Sequence, residues 1–239
     1  MKTIKKLIPN FIKNLYVNYK LKYFLQKFKL MNAEQTFNYI YNNNLWGNST
    51  KDLKYNSGIG STDTDTIEQY VSGLKNYFVL KKFNVLDIGC GNFNVGIKTR
   101  DLFNEYIACD IVEDLIEYNK LKYHNSNVLF TKLNAINDIL PDADVVILRQ
   151  VLQHLSNAEI FNILKKLEKY KFIIITEHIP TSLNIVYNID KLTGPDIRLS
   201  NNSGISLSKP PFNLKFKKET QICSIMQSDG RVETIIYEL

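Results

Sequence analysis

The 239-residue sequence has no run of 18 or more apolar residues, so no membrane-spanning helix is expected. Its lysine-rich start lacks the uninterrupted apolar core and small-residue cleavage site of a secretory signal. Export is therefore not expected, and a cytoplasmic protein is. Cysteine is scarce: Cys90, Cys109 and Cys223 are an odd number without metal-ligand spacing, and three histidines leave few ligands for a structural zinc. Reduced thiols and no metal are expected. Acidic residues are missing from the first 33 positions, which hold Lys2, Lys5, Lys6, Lys13, Lys20, Lys22, Lys27 and Lys29. Those eight account for the net charge of +6, because the remaining 22 bases face 24 acids. The body is not basic. With 44% hydrophobic and 23% charged residues, the composition excludes disorder and suffices for a real core.

Within residues 1–32, Phe11, Ile12, Leu15, Tyr16, Tyr19 and Tyr23 recur at three- and four-residue steps with lysines and Asn14 between them. This spacing predicts a basic amphipathic helix. Such a helix either lies on an anionic membrane surface, here the inner face, or packs on the domain with its lysines solvated. Residues 33–239 then form one domain. Helices are predicted over 33–44 and 64–80, the second opened by the Ser/Thr/Asp cluster at 61–65. From residue 83 the pattern changes. Strand-like runs at 85–88, 106–109, 128–131, 145–148 and 172–176 alternate with helix-like segments at 93–104, 112–120 and 157–169, which predicts a parallel sheet built from βαβ units. Two last runs, 221–227 and 231–238, flank Ser228-Asp229-Gly230. Asp-Gly readily takes the positive φ of a tight turn, so a C-terminal hairpin is expected.

The most informative stretch is Val85-Leu86-Asp87-Ile88-Gly89-Cys90-Gly91-Asn92-Phe93. A buried strand runs into a glycine turn whose backbone approaches a ligand closely, and the following helix offers unpaired N–H groups at its start. Asp110 falls at the end of the second strand, where a carboxylate accepts from both hydroxyls of a ribose. Dinucleotide dehydrogenases use a related turn, but they place a third Gly or Ala where this chain has Asn94. The Asp87 carboxylate would also repel a pyrophosphate, whereas it suits a cationic amine.

These residues resemble the first motif of class I S-adenosylmethionine-dependent methyltransferases, from about residue 83 to the terminal hairpin. The resemblance implies a doubly wound, mostly parallel seven-stranded sheet with an antiparallel C-terminal hairpin and N-terminal helices. It also implies S-adenosylmethionine as cofactor, with Asp87, Gly89, Cys90 and Gly91 in the donor-binding turn, Asp110 and Ile111 at the ribose, and Asn134-Ala135 beside adenine. Asn134 departs from the usual acid there. Trp46-Gly47, Ser57-Gly58-Ile59-Gly60-Ser61, Arg149, His154-Leu155-Ser156 and Pro211-Phe212-Asn213 are similar to a subgroup found in capsular polysaccharide biosynthesis, thought to methylate sugars or a phosphoramidate. Gln150 replaces an Asp common in that subgroup.

Methyl transfer needs alignment, plus a base when the acceptor is a hydroxyl. His154 is the first candidate base, following the fourth strand at the carboxyl edge of the sheet, although its surroundings equally suit a core-facing turn. His178, after the fifth strand, is the second. Arg149 either binds an acceptor phosphate or carboxylate or forms a structural ion pair. Trp46 either covers the cofactor or anchors the N-terminal helices, and the Ser57–Ser61 loop offers backbone N–H groups to the donor carboxylate. Cys90 reads as a small turn residue and His124 as solvated. The irregular segment 181–213 is long enough to cover an acceptor pocket, with Arg198 and Asn213 as its candidate contacts. Two rival functions remain. One is a nucleic-acid methyltransferase using the lysine-rich leader, which the absence of a Pro-Pro-Tyr-type motif after the fourth strand disfavours. The other is a non-catalytic donor-binding domain.

Overall fold

The computed structural model describes residues 26–48, 54–79 and 83–239. Most of the basic leader, residues 1–25, lies outside them. Its described end, residues 26–29, is helical, with Phe28 buried and edge-on to Tyr39 at 6.0 Å.

Helix α1 spans Ala33–Asn42. Asn32 starts it with a capping box, its side chain accepting from the Gln35 N–H while the Gln35 side chain accepts from the Asn32 N–H. Helix α2 spans Thr64–Tyr77, with Asp63 from the expected cluster at its N-cap. The sheet follows: β1 (Val85–Ile88), β2 (Tyr106–Asp110), β3 (Leu129–Lys132), β4 (Val145–Arg149), β5 (Phe172–Ile179), β6 (Lys218–Gln227) and β7 (Gly230–Glu238). Their spatial order is β3-β2-β1-β4-β5-β7-β6. The first five are parallel, and β7 runs antiparallel to both neighbours. This is the doubly wound, mostly parallel seven-stranded sheet with an antiparallel C-terminal hairpin that the resemblance implied.

The central strands are apolar at consecutive positions because both faces are covered. Leu86, Ile88, Val146, Leu148, Ile173 and Ile175 pack with Ile160 and Ile163 of α5 (Asn157–Leu164). On the other face Val85, Val145, Ile147 and Ile174 pack with Ile67, Val71 and Leu74 of α2. Each such side chain, fully buried, contributes about 1.5–3 kcal/mol against exposure. The alternation turns Asp87 toward the α2 face, among aromatic neighbours.

Several boundaries move. The expected helix over 93–104 is a short α3 (Gly96–Thr99) followed by a 3-10 turn (Arg100–Leu102). Phe93 takes φ +59°, which delays the helix, and its ring fills the space a Cβ on Gly96 would need, 2.2 Å away. Helix α4 spans Glu113–Lys122, and α5 stops at Leu164 rather than 169. In the hairpin Gln227 pairs with Gly230, so the loop is Ser228-Asp229 and neither Asp229 nor Gly230 adopts positive φ. Gly230 is required by close approach instead: a Cβ there would lie 2.6 Å from the Ile179 carbonyl oxygen.

Candidate active site

Four parallel strands, β1, β2, β3 and β4, end at the same edge of the sheet, and the loops leaving β1, β2 and β4 wall a cavity there. Its floor is the bend after β1. The Gly89 and Cys90 N–H groups both donate to the Cys109 carbonyl, at 2.8 and 3.0 Å, which pins the bend to the end of β2. Gly89 and Gly91 take φ +69° and +55°, the left-handed region where glycine is unstrained.

The amides of the bend are not free. Gly91 N–H donates to Asp110 Oδ2, Asn92 N–H to Ser57 Oγ, Phe93 N–H to the Cys90 carbonyl and Asn94 N–H to Asn92 Oδ1. The unpaired N–H groups expected from the sequence are therefore absent at these four positions, because the protein satisfies its own buried amides. A site without spare donors on its bend is a poor cradle for a pyrophosphate. Its recognition groups are carboxylates.

Asp87 is buried and accepts a hydrogen bond from the Tyr106 hydroxyl at 2.9 Å. Burial pushes its carboxyl up to about 7, against that hydrogen bond and the Arg149 charge, which pull it down. Asp110 takes one backbone N–H on each oxygen, from Gly91 and from Val112, both at 3.1 Å. Burial raises it to about 6 despite them. Each oxygen keeps a further lone pair for a neutral hydroxyl. Two buried carboxylates held near neutrality mark a place where a ligand supplies what the protein withholds.

All ten residues expected to hold the donor line this one cavity: Trp46, Ser61, Asp87, Gly89, Cys90, Gly91, Asp110, Ile111, Asn134 and Ala135. Asn134 Oδ1 accepts the Ile136 N–H at 3.0 Å, so it shapes its own turn as well as facing the cavity. Trp46 lines the cavity, donates through Nε1 to the Pro195 carbonyl and packs on Phe37 and Tyr41 of the N-terminal helix and on His154. Burial raises the Cys90 thiol well above its ordinary value, so it stays protonated. His124 is exposed.

The acceptor-side expectations divide. Arg149 and His154 line the cavity. Arg149 Nη2 donates to the Gly60 carbonyl at 2.8 Å, its guanidinium lies 5.3 Å from the Tyr70 ring centre, and its buried Nε has no hydrogen-bond partner. His154 sits 4.8 Å from the Trp46 ring. Burial, with the Lys191 charge, holds it down to about 3, so it is a neutral, feebly basic imidazole rather than a base tuned to neutrality. His178 is turned away: its buried Nε2 lies 3.3 Å from Asp229 Oδ1 of the hairpin turn without a hydrogen bond. Arg198 is buried and spends its donors on the backbone carbonyls of Leu152, Gln153, Leu155 and Ile189 and on Asn157 Oδ1. Asn213 is exposed beside Pro211 and borders a different hollow, next to Phe161, Phe212 and Lys215. These three do not reach the cavity.

Sequence reasoning missed Tyr41, Tyr70, Tyr106 and Asn92. Tyr41 shares a hydrogen bond with Ser57 Oγ at 2.9 Å, tying the 54–61 loop to α1, and Asn92 Nδ2 donates to the Tyr55 carbonyl, tying it to the bend. Aromatic residues at helical spacing in α1 and α2 were the available signal.

Residues 85–170 match the model of a family described as methyltransferase domain. No curated protein matches the chain by sequence. Among solved structures, the fold is similar to the N-terminal domain of EvdMO1 in the presence of SAH and D-fucose (13% identity, 80% of this chain and 89% of that one, TM-score 0.54). It is also similar to a SAM-dependent methyltransferase of Leishmania major (14%, 75% of each chain, 0.55). A third is the magnesium protoporphyrin IX methyltransferase of Synechocystis with bound SAH (15%, 85% and 95%, 0.50).

Proposed function

We propose that this S-adenosylmethionine-dependent methyltransferase methylates an oxygen of a sugar or phosphoramidate intermediate in capsular polysaccharide biosynthesis. The observation that carries the donor side is the pair of buried carboxylates flanking one glycine bend. Asp87 faces the donor's ammonium, Asp110 accepts from its ribose hydroxyls, and Ile111, Leu133 and Ala135 supply apolar walls for a base. When bound, S-adenosylmethionine supplies a methyl carbon on a positively charged sulfur. The protein's own work is alignment and exclusion of water. Trp46 and Phe37 wall the acceptor side, and Arg149, with its unpartnered Nε, faces it with a positive charge. That charge suits an anionic phosphoramidate, whose oxygen needs no base. The sugar arm of the reading is supported by the subgroup motifs around Trp46, Arg149 and His154, and D-fucose accompanies the EvdMO1 neighbour.

A radiolabelled-methyl assay over sugar, phosphoramidate and nucleic-acid acceptors tests the reading. Transfer to a saccharide or phosphoramidate is expected. Transfer to nucleic acid alone, or donor binding without transfer to any acceptor, overturns it. In the same assay His154→Ala keeps kcat within about tenfold of wild type, because removal of a true general base costs about 100-fold or more.

No helix among the described residues is long and apolar enough to cross a membrane. The basic leader supports peripheral contact of this cytoplasmic protein with the inner membrane surface. Phe28 packs on the domain, so the informative deletion is residues 1–25, which removes Lys2, Lys5, Lys6, Lys13, Lys20 and Lys22. Sedimentation with vesicles containing phosphatidylglycerol should fall to background in that variant. Unchanged sedimentation excludes the anchor.

A further inference from the structure

The cavity wall after β4 is a single turn, residues 150–155, from which Gln150, Val151, His154 and Leu155 face the site. Its own backbone supplies only two hydrogen bonds, His154 N–H to the Val151 carbonyl and Leu155 N–H to the Leu152 carbonyl, both at 3.1 Å. The 3-10 turn Leu152–His154 is three residues long, and Gln150 takes φ +56°, a left-handed conformation that strains a non-glycine residue. The surroundings must therefore hold it.

They do so through two buried polar side chains, a carboxyl that accepts and a guanidinium that donates. From β5, Glu177 is 2% exposed and takes the turn's amides: Leu152 N–H donates to Oε1 at 3.1 Å and Gln153 N–H to Oε2 at 3.0 Å. From the long connection, Arg198 is 1% exposed and takes the turn's carbonyls. Nη1 donates to Leu152 O and Gln153 O at 3.2 and 3.1 Å, and Nη2 to Leu155 O at 2.7 Å. The remaining carbonyl, of His154, accepts from Gly194 N–H at 3.0 Å and from Lys191 Nζ at 3.4 Å. Every carbonyl from 152 to 155 is thus held by residues 191–198. Arg198 Nε also donates to the Ile189 carbonyl, at 2.8 Å, which ties that strap to itself.

We infer that Glu177 and Arg198 are positioning residues that clasp the 152–155 turn from its amide and carbonyl sides and so set the wall of the cavity against the Gly89 bend. The wall has little freedom there, since Val151 Cγ2 fills the place a Cβ on Gly89 would occupy, 2.6 Å away. On the other side of the turn His154 meets Trp46, which also bonds the strap at Pro195. One clasp therefore fixes the bend's neighbour, the acceptor wall and the strap together. The inference rests on the methyltransferase reading only for the identity of the ligand whose affinity it changes.

Glu177→Gln and Arg198→Lys test it. Glutamine keeps one acceptor and turns an amide N–H against one of the two backbone donors. Lysine keeps the charge but cannot reach four oxygens with a planar fork. Trp46 is the sole tryptophan of the chain, so its emission reports this wall directly. Both full-length variants, checked as folded by circular dichroism and measured well below their melting temperatures, should show a red-shifted Trp46 emission. Their S-adenosylhomocysteine affinity by calorimetry should be weakened about tenfold, the loss of a charged hydrogen bond or two. Wild-type emission and affinity in folded Glu177→Gln would overturn the clasp whatever Arg198→Lys does. Failure of the wild type to bind S-adenosylhomocysteine would instead sink the donor reading, and the emission shift would then decide the clasp alone.

Discussion

Gly89→Arg should abolish donor binding, with S-adenosylhomocysteine affinity falling by more than about 100-fold, the equivalent of some 2.7 kcal/mol. Two separate costs combine at this position. The residue holds φ +69°, which any L side chain adopts only under strain. Its missing Cβ leaves room for Val151, whose Cγ2 would be 2.6 Å from the added carbon. A side chain here must push the β4 turn outward or enter the cavity between Asp87 and Asp110, and the arginine would satisfy those carboxylates itself. Gly89→Ala separates the two: it carries the backbone strain and the Val151 clash without filling the cavity. Its affinity should lie between wild type and Gly89→Arg. Calorimetry on the folded variants reads both, and retained wild-type affinity in Gly89→Arg would mean that the bend is not the donor site.

The bend was legible in the sequence because local chemistry specifies it. Val85–Ile88 is four consecutive residues buried on both faces, closed by a glycine that has to be a glycine, so strand, turn and carboxylate could be placed without tertiary information. Asp110 follows from the same logic one βα unit later. The hairpin was legible in outline for a weaker reason. Gly230 marks it, but the glycine is required by the approach of Ile179 and His178 rather than by the turn's own φ. Tyr106 shows where such reading stops. It pairs with Val85 at the start of β2, and its hydroxyl reaches Asp87 only through the parallel register of the two strands. No spacing along the chain encodes that distance.

The residues after 180 illustrate a different limit. Segment 181–213 has no hydrophobic period, so Arg198 and Asn213 could be weighed only by residue type, and an arginine in a loop near a pocket reads as a ligand contact. In the structure its fork closes on backbone carbonyls instead, because a turn with few internal hydrogen bonds must find partners for its polar groups. His178 fails for a geometric reason. Side chains alternate along β5, so with Glu177 turned to the 152–153 amides, His178 is directed to the hairpin. Fold topology and donor recognition are local properties repeated down the chain. The wall around Trp46, Arg149 and His154 is assembled from segments far apart in the chain and had to be seen.

Donor binding should strengthen as pH rises from 6 to 8, and Asp87→Asn should remove most of that dependence while weakening affinity at pH 8 by about 100-fold, as expected for losing a buried charged partner. The sign follows from the carboxyl's own surroundings. Burial raises the Asp87 carboxyl to about 7, so at pH 6 most molecules carry a proton there that an ammonium group must displace. Binding then releases that proton, and affinity falls about tenfold for each pH unit below 7 and flattens above it. Asp110, raised to about 6, contributes less over the same window because it is largely ionised by pH 7 and faces neutral hydroxyls. The linkage has a counterpart in the free protein. Asp87 holds its proton more tightly folded than unfolded, so its share of stability is present near pH 4 and is lost as pH rises toward 7. S-adenosylhomocysteine should therefore raise the melting temperature more at pH 8 than at pH 6, where the ligand competes with the proton. Calorimetry in two buffers of different ionisation enthalpy would count the released proton. A pH-independent affinity in the wild type would place the donor's ammonium elsewhere and leave Asp87 as a partner for Tyr106 alone.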